Sequence, residues 1–384
     1  MRITVHVRIV PSRGINCIMP QTIIDQQPIF SWDIFCRVVD NFGDIGVAWR
    51  LSADLANRGH RVHLWVDDAS ALSWMAPLGH HMIQVLAWSD DPLAHPDMAT
   101  DAHPMQTVIE MFGCELPDSF KEAMKSSQKT PIWINLEYLS AQAYVERMHK
   151  LESPVLRGPA QGLKKIFFYP GFTHQTGGVL REQNIQITPS VSSPFKPLKI
   201  FLFCYEPMHL NSWLNQLNQS TLSIELHVTQ GRAQKAIEDI NTRDLNNIQI
   251  ISLPLMTQAM FDEQLRACDF NCVRGEDSWI RAIWAGKPFL WQIYPQDDSV
   301  HIQKLEAFLD LFDAPQIVRQ AHRVWNSVPK TADLQPMNGQ QIPPLTPENL
   351  KEWADWVQFI QSRLLAQKDL VSQLIDWTTQ SRLK

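Results

Sequence analysis

The stretch DNFGDIGVAWRLSADLANRGHRVHLWVDD, residues 40–68, decides the fold. Just before it, IFCRVV (34–39) is short, apolar and β-branched, the pattern of a buried strand. A helix is expected over 45–57, with Ala48, Trp49, Leu51 and Leu55 on one face and Gly59 placed to end it. RVHLWV (61–66) reads as the next strand. Strand, helix and strand joined by short turns make a β-α-β unit, which implies parallel pairing and a helix packed on the sheet. Glycine-rich strand-to-helix turns usually cradle phosphate. This one, with Gly43 and Gly46, also carries Asp40 and Asp44. It lacks the G-x-G-x-x-G spacing and a Gly-Lys-Ser/Thr triplet, and two carboxylates repel a diphosphate. Two readings stay open at this point. Asp44 is an N-cap candidate, or the two acids do acid–base or cation-orienting chemistry beside an apolar strand end.

The same rhythm continues outward. Further units fall around TVIEMFG (107–113) and PIWINLEYL (131–139), and a Pro- and Ser-rich linker is expected over 186–198. The pattern then restarts with KIFLFCYE (199–206), SIELHVT (223–229) and IQIISLP (248–254) as strands. FDEQLRACD follows as a helix, FNCVR as a strand, SWIRAIWAG as a helix closed by Gly286, and PFLWQIYP as a last strand. Residues 313–346 read as Pro-rich and irregular, and the tail from Pro347 is helical. The expected fold class is α/β, two doubly wound Rossmann-like domains facing a cleft. The boundaries are 31–185, the linker 186–198, 199–345, and tail helices over 346–384 that pack back on the first domain. Residues 1–30 read as an extension. Residues 1–18 match nothing that follows, and Met19 is a candidate start.

The second informative turn is RGEDSWIRAIWAGKPFLWQIYP, residues 274–295. A strand ends at Arg274, Glu276 and Asp277 lie in the turn, and Ser278 is a candidate cap for the helix. Free N–H groups at the helix start, the dipole and a bidentate Arg274 suit a diphosphate. The acids can accept hydrogen bonds from hydroxyls. An ordinary capped helix with a surface ion pair remains the simpler reading. No D-x-D triplet and no His/Cys cluster with metal spacing occurs, so no metal is expected.

Composition narrows the class. With 45% hydrophobic and 19% charged residues over 384 positions, the chain can build two cores. A net charge of -6 argues against a nucleic-acid binder. Cys17, Cys36, Cys114, Cys204, Cys268 and Cys272 show no C-x-x-C spacing, which suits buried thiols in a reducing cytoplasm. No apolar run approaches the roughly 18 residues that span a bilayer, so no membrane partner is expected.

The segment ACDFNCVRGEDSWIRAIWAGKPFLWQIYP resembles the donor-binding region of GT-B glycosyltransferases. A narrower resemblance is to the protein-arginine rhamnosyltransferase family (EarP) that modifies bacterial translation elongation factor P. It is carried by IFCRVVDNFGDIGVAWRL, HLWVDD, NLEYLSA, GFTHQTGGVLRE, RGEDS and GKPFLWQIYPQDDSVHIQKL, in order from residue 34 to about 308. The resemblance implies an inverting, metal-independent transfer of rhamnose from dTDP-β-L-rhamnose to one arginine of elongation factor P, activating it for relief of polyproline stalling. It implies that the first domain binds the acceptor and the second the nucleotide sugar, with no cofactor besides that co-substrate. By motif, Asp44 corresponds to the general base, Asp40 to a second acid of the same turn, and Glu276 to an essential acid of the donor loop. Arg274, Asp277 and Ser278 correspond to diphosphate contacts. Phe203, Tyr205, Gln258 and Phe261 correspond to the nucleotide pocket, and Asn41, Phe42, Gly43 and Gly275 also fall on the donor side. Leu255 stands where an aromatic residue is common.

A guanidinium acceptor accounts for the two acids in the first turn. Removing its proton outright at pH 7 costs roughly 7–9 kcal/mol, and a carboxylate partner makes that harder still. The base must therefore act as the C–N bond forms. Rival readings are a GT-B-like nucleotide-sugar enzyme with another acceptor, and a catalytically silent sugar-nucleotide sensor. A sensor needs RGEDS but not the Asp40/Asp44 turn.

Overall fold

The computed structural model describes residues 29–39, 42–89, 103–187, 197–295, 300–328 and 341–383. Met19 and all of the expected N-terminal extension except its last two residues, of which Phe30 packs in the first core, lie outside the described residues, as do most of the expected linker, Asp40 and Asn41. The first domain runs β1 (Ser31–Cys36), α1 (Gly43–Asn57), β2 (Arg61–Val66), α2 (Leu72–Met75), β3 (Ile83–Ala87), β4 (Thr107–Met111), α3 (Asp118–Ser126), β5 (Ile132–Leu136), α4 (Tyr144–Met148), β6 (Leu151–Pro154) and β7 (Lys164–Phe168). Its sheet order is β3-β2-β1-β4-β5-β7-β6, parallel except where β6 runs against β7. The second domain runs β8 (Leu198–Leu202), α5 (Leu210–Asn218), β9 (Ile224–Thr229), α6 (Arg232–Glu238), β10 (Ile248–Leu253), α7 (Gln258–Ala267), β11 (Phe270–Arg274), α8 (Asp277–Ala285) and β12 (Phe289–Gln292). Its order is β10-β9-β8-β11-β12, parallel throughout. Among the described residues four helices follow: α9 (Val300–Leu311), α10 (Gln316–Trp325), α11 (Pro347–Leu365) and α12 (Leu370–Leu383).

Both sheets start in the middle, run outward to one edge, then return to the other side. The strand order therefore reverses between β1 and β4 and again between β8 and β11. Crevices outside the carboxyl ends of such strands are where open α/β sheets bind ligands. The turns after β1, β8 and β11 all sit there.

Three sequence expectations are corrected. The first strand occupies 31–36 rather than 34–39. A buried Asp33 hides its start, because its carboxylate is satisfied by Trp65 Nε1 at 2.8 Å and the Met105 N–H at 2.7 Å. The region taken as irregular over 313–346 contains α10, an amphipathic helix that opens after Pro315 and buries Val318, Ala321, His322 and Trp325. The tail does not pack wholly on the first domain. Trp353, Trp356, Val357 and Ile360 of α11 join the second core, and only α12 crosses over, placing Leu370, Val371, Leu374 and Ile375 in the first. The reason is a short break at 366–369, from which the Leu370 N–H bonds Val179 O at 2.9 Å.

Gly178, with φ of 75°, is required where 171–182 meets that break, since a Cβ there would lie 2.5 Å from Lys368 O. Arg181 donates to the carbonyls of Leu364, Leu365 and Gln367, satisfying the open end of α11. Trp284 Nε1 donates to Leu180 O. The GFTHQTGGVLRE segment is thus a seam between the domains.

His322 anchors α10 beneath β12. Its Nε2 accepts from the Trp291 N–H at 3.2 Å, and Nδ1 faces Val318 O at 2.9 Å, which requires a neutral ring protonated on Nδ1. Burial lowers its pKa to about 4. The unfolded chain takes up this proton below about pH 6.5 and the folded chain does not. Stability should therefore fall as pH drops from about 6.5 toward 4, by up to ~3 kcal/mol from this group. The check is urea unfolding across that range beside His322→Gln, whose curve should lack that part of the slope.

Candidate active site

Two cavities open between the sheets and share Gly43, Gly275, Glu276 and Asp277. The first is about 280 Å³. Phe42, Gly43, Phe203, Tyr205, Gln258, Phe261, Arg274, Gly275, Glu276, Asp277 and Ser278 all line it, as do Trp74, Leu255 and Arg232. The second, about 300 Å³, is lined by Asp44, Val47, Phe112, Tyr138, Trp291, Tyr294 and Lys304 with the shared residues. The sequence candidates that are described therefore converge on one cleft.

The first cavity is cationic and aromatic. Arg274 ends β11, and its guanidinium lies 4.5 Å from the Phe203 ring centroid and 4.7 Å from that of Tyr205. Its Nη1 donates to Cys204 O at 3.1 Å. Arg232, at the start of α6, approaches the same Tyr205 ring at 4.8 Å and grips Glu206 through two nitrogens. That grip holds the Glu206 carboxyl below its ordinary value. Phe261 stands edge-on to Phe203 with centroids 5.2 Å apart. Leu255 is exposed at the rim.

Gly275, at φ of 66°, is the turn's pivot and needs glycine. Its carbonyl accepts from Trp291 Nε1 at 2.7 Å, and Trp291 stacks on Trp279 with centroids 3.7 Å apart. The turn is therefore fixed before any ligand arrives. Ser278 is not the expected cap. Glu276 holds the N-cap position, and the Ser278 hydroxyl, inside α8, accepts from the Arg274 N–H and donates to Arg274 O. That ties the strand end to the helix.

Asp44 is likewise not the N-cap, a position Phe42 occupies without a side-chain bond. Asp44 lies in the first turn of α1, and its Oδ2 reaches back to the Val39 N–H at 2.9 Å. Burial first and the Asp44 charge second push the Cys36 thiol well up, so this cysteine is inert. Glu276 touches both halves: Oε2 accepts from the Leu139 N–H at 3.0 Å and Oε1 from Lys304 Nζ at 2.7 Å.

Asp277 faces the first domain, 2.8 Å from Arg50 Nε. Arg50 also holds both oxygens of Asp262 at 3.0 Å. Arg281 shares Asp262 and reaches Glu182. Burial pushes the Asp262 and Glu182 carboxyls up, but the two guanidiniums outweigh it and hold both below their ordinary values. For Asp277 burial wins over Arg50, and its pKa is raised. Gln258 adds a bond to Gly46 O at 3.0 Å.

Sequence reading missed Arg50, Arg232, Lys304 and Trp291. Only Arg232 carried a local signal, a Gly-Arg pair closing the strand 224–229. Among the described residues, no group of three or more His, Cys, Asp or Glu side chains is arranged to hold a metal ion. Among them, also, no helix is long and apolar enough to cross a membrane.

Two doubly wound domains, with a cationic, aromatic cavity at the switch point of the second and Asp44 at that of the first, have the fold of GT-B glycosyltransferases. Comparison with known proteins narrows this. Residues 32–379 match the family described as Elongation-Factor P (EF-P) rhamnosyltransferase EarP. A protein-arginine rhamnosyltransferase of Pseudomonas aeruginosa is 38% identical, over 90% of this chain and 99% of its own. That of Pseudomonas putida is 40% identical, over 77% and 86%. A solved structure from work on EarP-mediated arginine glycosylation of translation elongation factor EF-P superposes with a TM-score of 0.57 at 28% identity, over 92% of this chain and 99% of its own. The chain belongs to this family of protein-arginine rhamnosyltransferases.

Replacing Arg50 with methionine leaves the Asp277 carboxylate enclosed without its cation. Breaking a buried pair from one side typically costs about 3–5 kcal/mol. Arg50→Met should lower unfolding stability by that order in denaturant titration, and an Arg50→Met/Asp277→Leu double variant should recover part of it.

Proposed function

We propose that this enzyme transfers rhamnose from dTDP-β-L-rhamnose to an arginine side chain of translation elongation factor P, with inversion and without a metal, in the cytoplasm, activating that factor for relief of polyproline stalling. The observation that carries the reading is the opposite charge of two adjoining cavities with one shared floor. On the donor side, the nucleotide base rests among Phe203, Phe261 and Leu255, with Gln258 beside it. The diphosphate meets Arg274, with Arg232 adjacent, and the free N–H groups at the start of α8. On the acceptor side, Asp44 draws in the guanidinium, with Asp40 as the second acid. Glu276, at the junction, orients the sugar.

The guanidinium nitrogen attacks C1 of rhamnose from the face opposite the diphosphate. The C–N bond forms as the bond from C1 to the phosphate oxygen breaks, and dTDP leaves with the electron pair. The attacking nitrogen becomes acidic as it loses electron density, and Asp44 takes its proton at that stage. Charge on the departing diphosphate is stabilised by Arg274 and the helix dipole. No cofactor is consumed. A sensor of the sugar nucleotide needs the first cavity only, so Asp44 at the second favours transfer.

The direct test is intact mass of elongation factor P after incubation with the enzyme and dTDP-rhamnose, where a single rhamnosyl increment on an arginine is expected. No increment, or one carried on another residue type, overturns the reading. Asp44→Asn keeps the acceptor of the Val39 hydrogen bond and removes the base. It should melt like wild type, bind donor normally, and lose about 10²–10⁴ in turnover. Near-wild-type turnover would leave Asp44 a structural residue.

Arg274→Ala should weaken dTDP binding by at least about tenfold, the loss of a hydrogen bond to a charged group. Unchanged affinity by calorimetry would remove Arg274 from the donor site.

A further inference from the structure

Phe112 and Tyr138 follow the carboxyl ends of β4 and β5, on the side of the sheet where β1 leads into α1 and Asp44. Both line the acceptor-side cavity. Their rings stack face to face, 4.1 Å between centroids and 6° between planes. Aromatic pairs ordinarily sit about 4.5–7 Å apart, offset or edge-on. Phe112 is also held at φ of 57°, a left-handed conformation unfavourable for a bulky side chain. The hydrogen bond from its N–H to Leu136 O, at 2.7 Å, fixes it there. Strained backbone of this kind gathers at functional sites.

Core packing does not account for the pair: Phe112 leans on the first core, but Tyr138 is 40% exposed. A cation already rests near that ring: Lys304 Nζ lies 5.8 Å from its centroid while bonding Glu276.

We propose that the Tyr138 ring, backed by Phe112, is the stacking platform for the acceptor guanidinium and makes the site select arginine over lysine. The idea rests on the acceptor-side reading of this cavity. A guanidinium is planar and weakly hydrated, so its face can lie on a ring while its in-plane N–H groups meet a carboxylate. Here the ring is Tyr138 and the carboxylate Asp44. An ammonium is compact and strongly hydrated. It gains less from the ring and presents no flat face. The Phe112 ring behind Tyr138 keeps it from tilting away.

The experiment is steady-state kinetics with elongation factor P and dTDP-rhamnose, with dTDP affinity measured separately by calorimetry. Tyr138→Leu and Tyr138→Met should each raise the acceptor KM about tenfold, the scale of a desolvated cation–π contact. Their kcat should fall less than threefold, and dTDP affinity should not move. Tyr138→Phe, which keeps the ring, should recover most of the acceptor affinity. Acceptor KM within twofold of wild type in both aliphatic variants, while Asp44→Asn abolishes turnover, overturns the platform alone. A KM rise matched by an equal loss of dTDP affinity also overturns it, as general damage to the cleft. If Asp44→Asn turns over normally as well, the acceptor-side reading itself has failed.

Discussion

The ion cluster centred on Arg50 is the constraint on which the cleft depends. One guanidinium from α1 meets Asp277 and Asp262 of the second domain, and Arg281 binds Asp262 from the other side and closes onto Glu182. Charges this deep give little net stability, because desolvation consumes most of the Coulomb gain. What they supply is geometry. A guanidinium with fixed donor directions accepts few arrangements of its carboxylates, so the two sheets meet in one orientation. That orientation sets the turn after β1 against the turn after β11. The raised pKa of Asp277 fits the same picture, since its carboxylate is desolvated by the seam and only partly compensated.

From that juxtaposition follows the division of charge. Arg274 and Arg232 crowd one aromatic ring on one side of the shared floor, Asp44 stands on the other, and Glu276 belongs to the floor itself. The Trp279–Trp291 stack makes the floor rigid by holding Gly275 O from below. Such preorganised dipoles and charges need not reorient as bonds change. Glu276 joins the sides, since it bonds the first domain's Leu139 N–H and the second domain's Lys304 together.

Local turn chemistry was legible in the sequence, and long-range pairing was not. The glycines at 59, 275 and 286 stand in left-handed backbone where strands and helices turn, so their positions marked element ends. The two polar turns after apolar strands located the cleft. Asp33 defeated the strand boundary, because a buried acid looks like a break until its partners Trp65 and Met105 are known. Flanking prolines masked α10, although the helix between them is strongly amphipathic. Arg50 looked like one more polar residue on a helix, and its partner lies 227 residues away. Residue type alone leaves Asp44 open between a cap and a base and makes Ser278 a candidate cap, yet Asp44 reaches back to the Val39 N–H beyond β1 and Ser278 to Arg274 at the end of β11. The stretch GFTHQTGGVLRE gave no periodic signal because it packs through glycines and backbone carbonyls.

The crossing of α12 onto the first sheet has a consequence for biosynthesis. Leu370, Val371, Leu374 and Ile375 complete a core whose other walls, β1, β2 and α1, are made early in translation. Domains emerging from a ribosome generally fold in order from the N-terminal end. Here the earlier domain cannot close its core until the later one has been made and this helix has cleared the exit tunnel. Until then the face that Leu370, Val371, Leu374 and Ile375 will complete stays open, the kind of exposed apolar surface that chaperones bind.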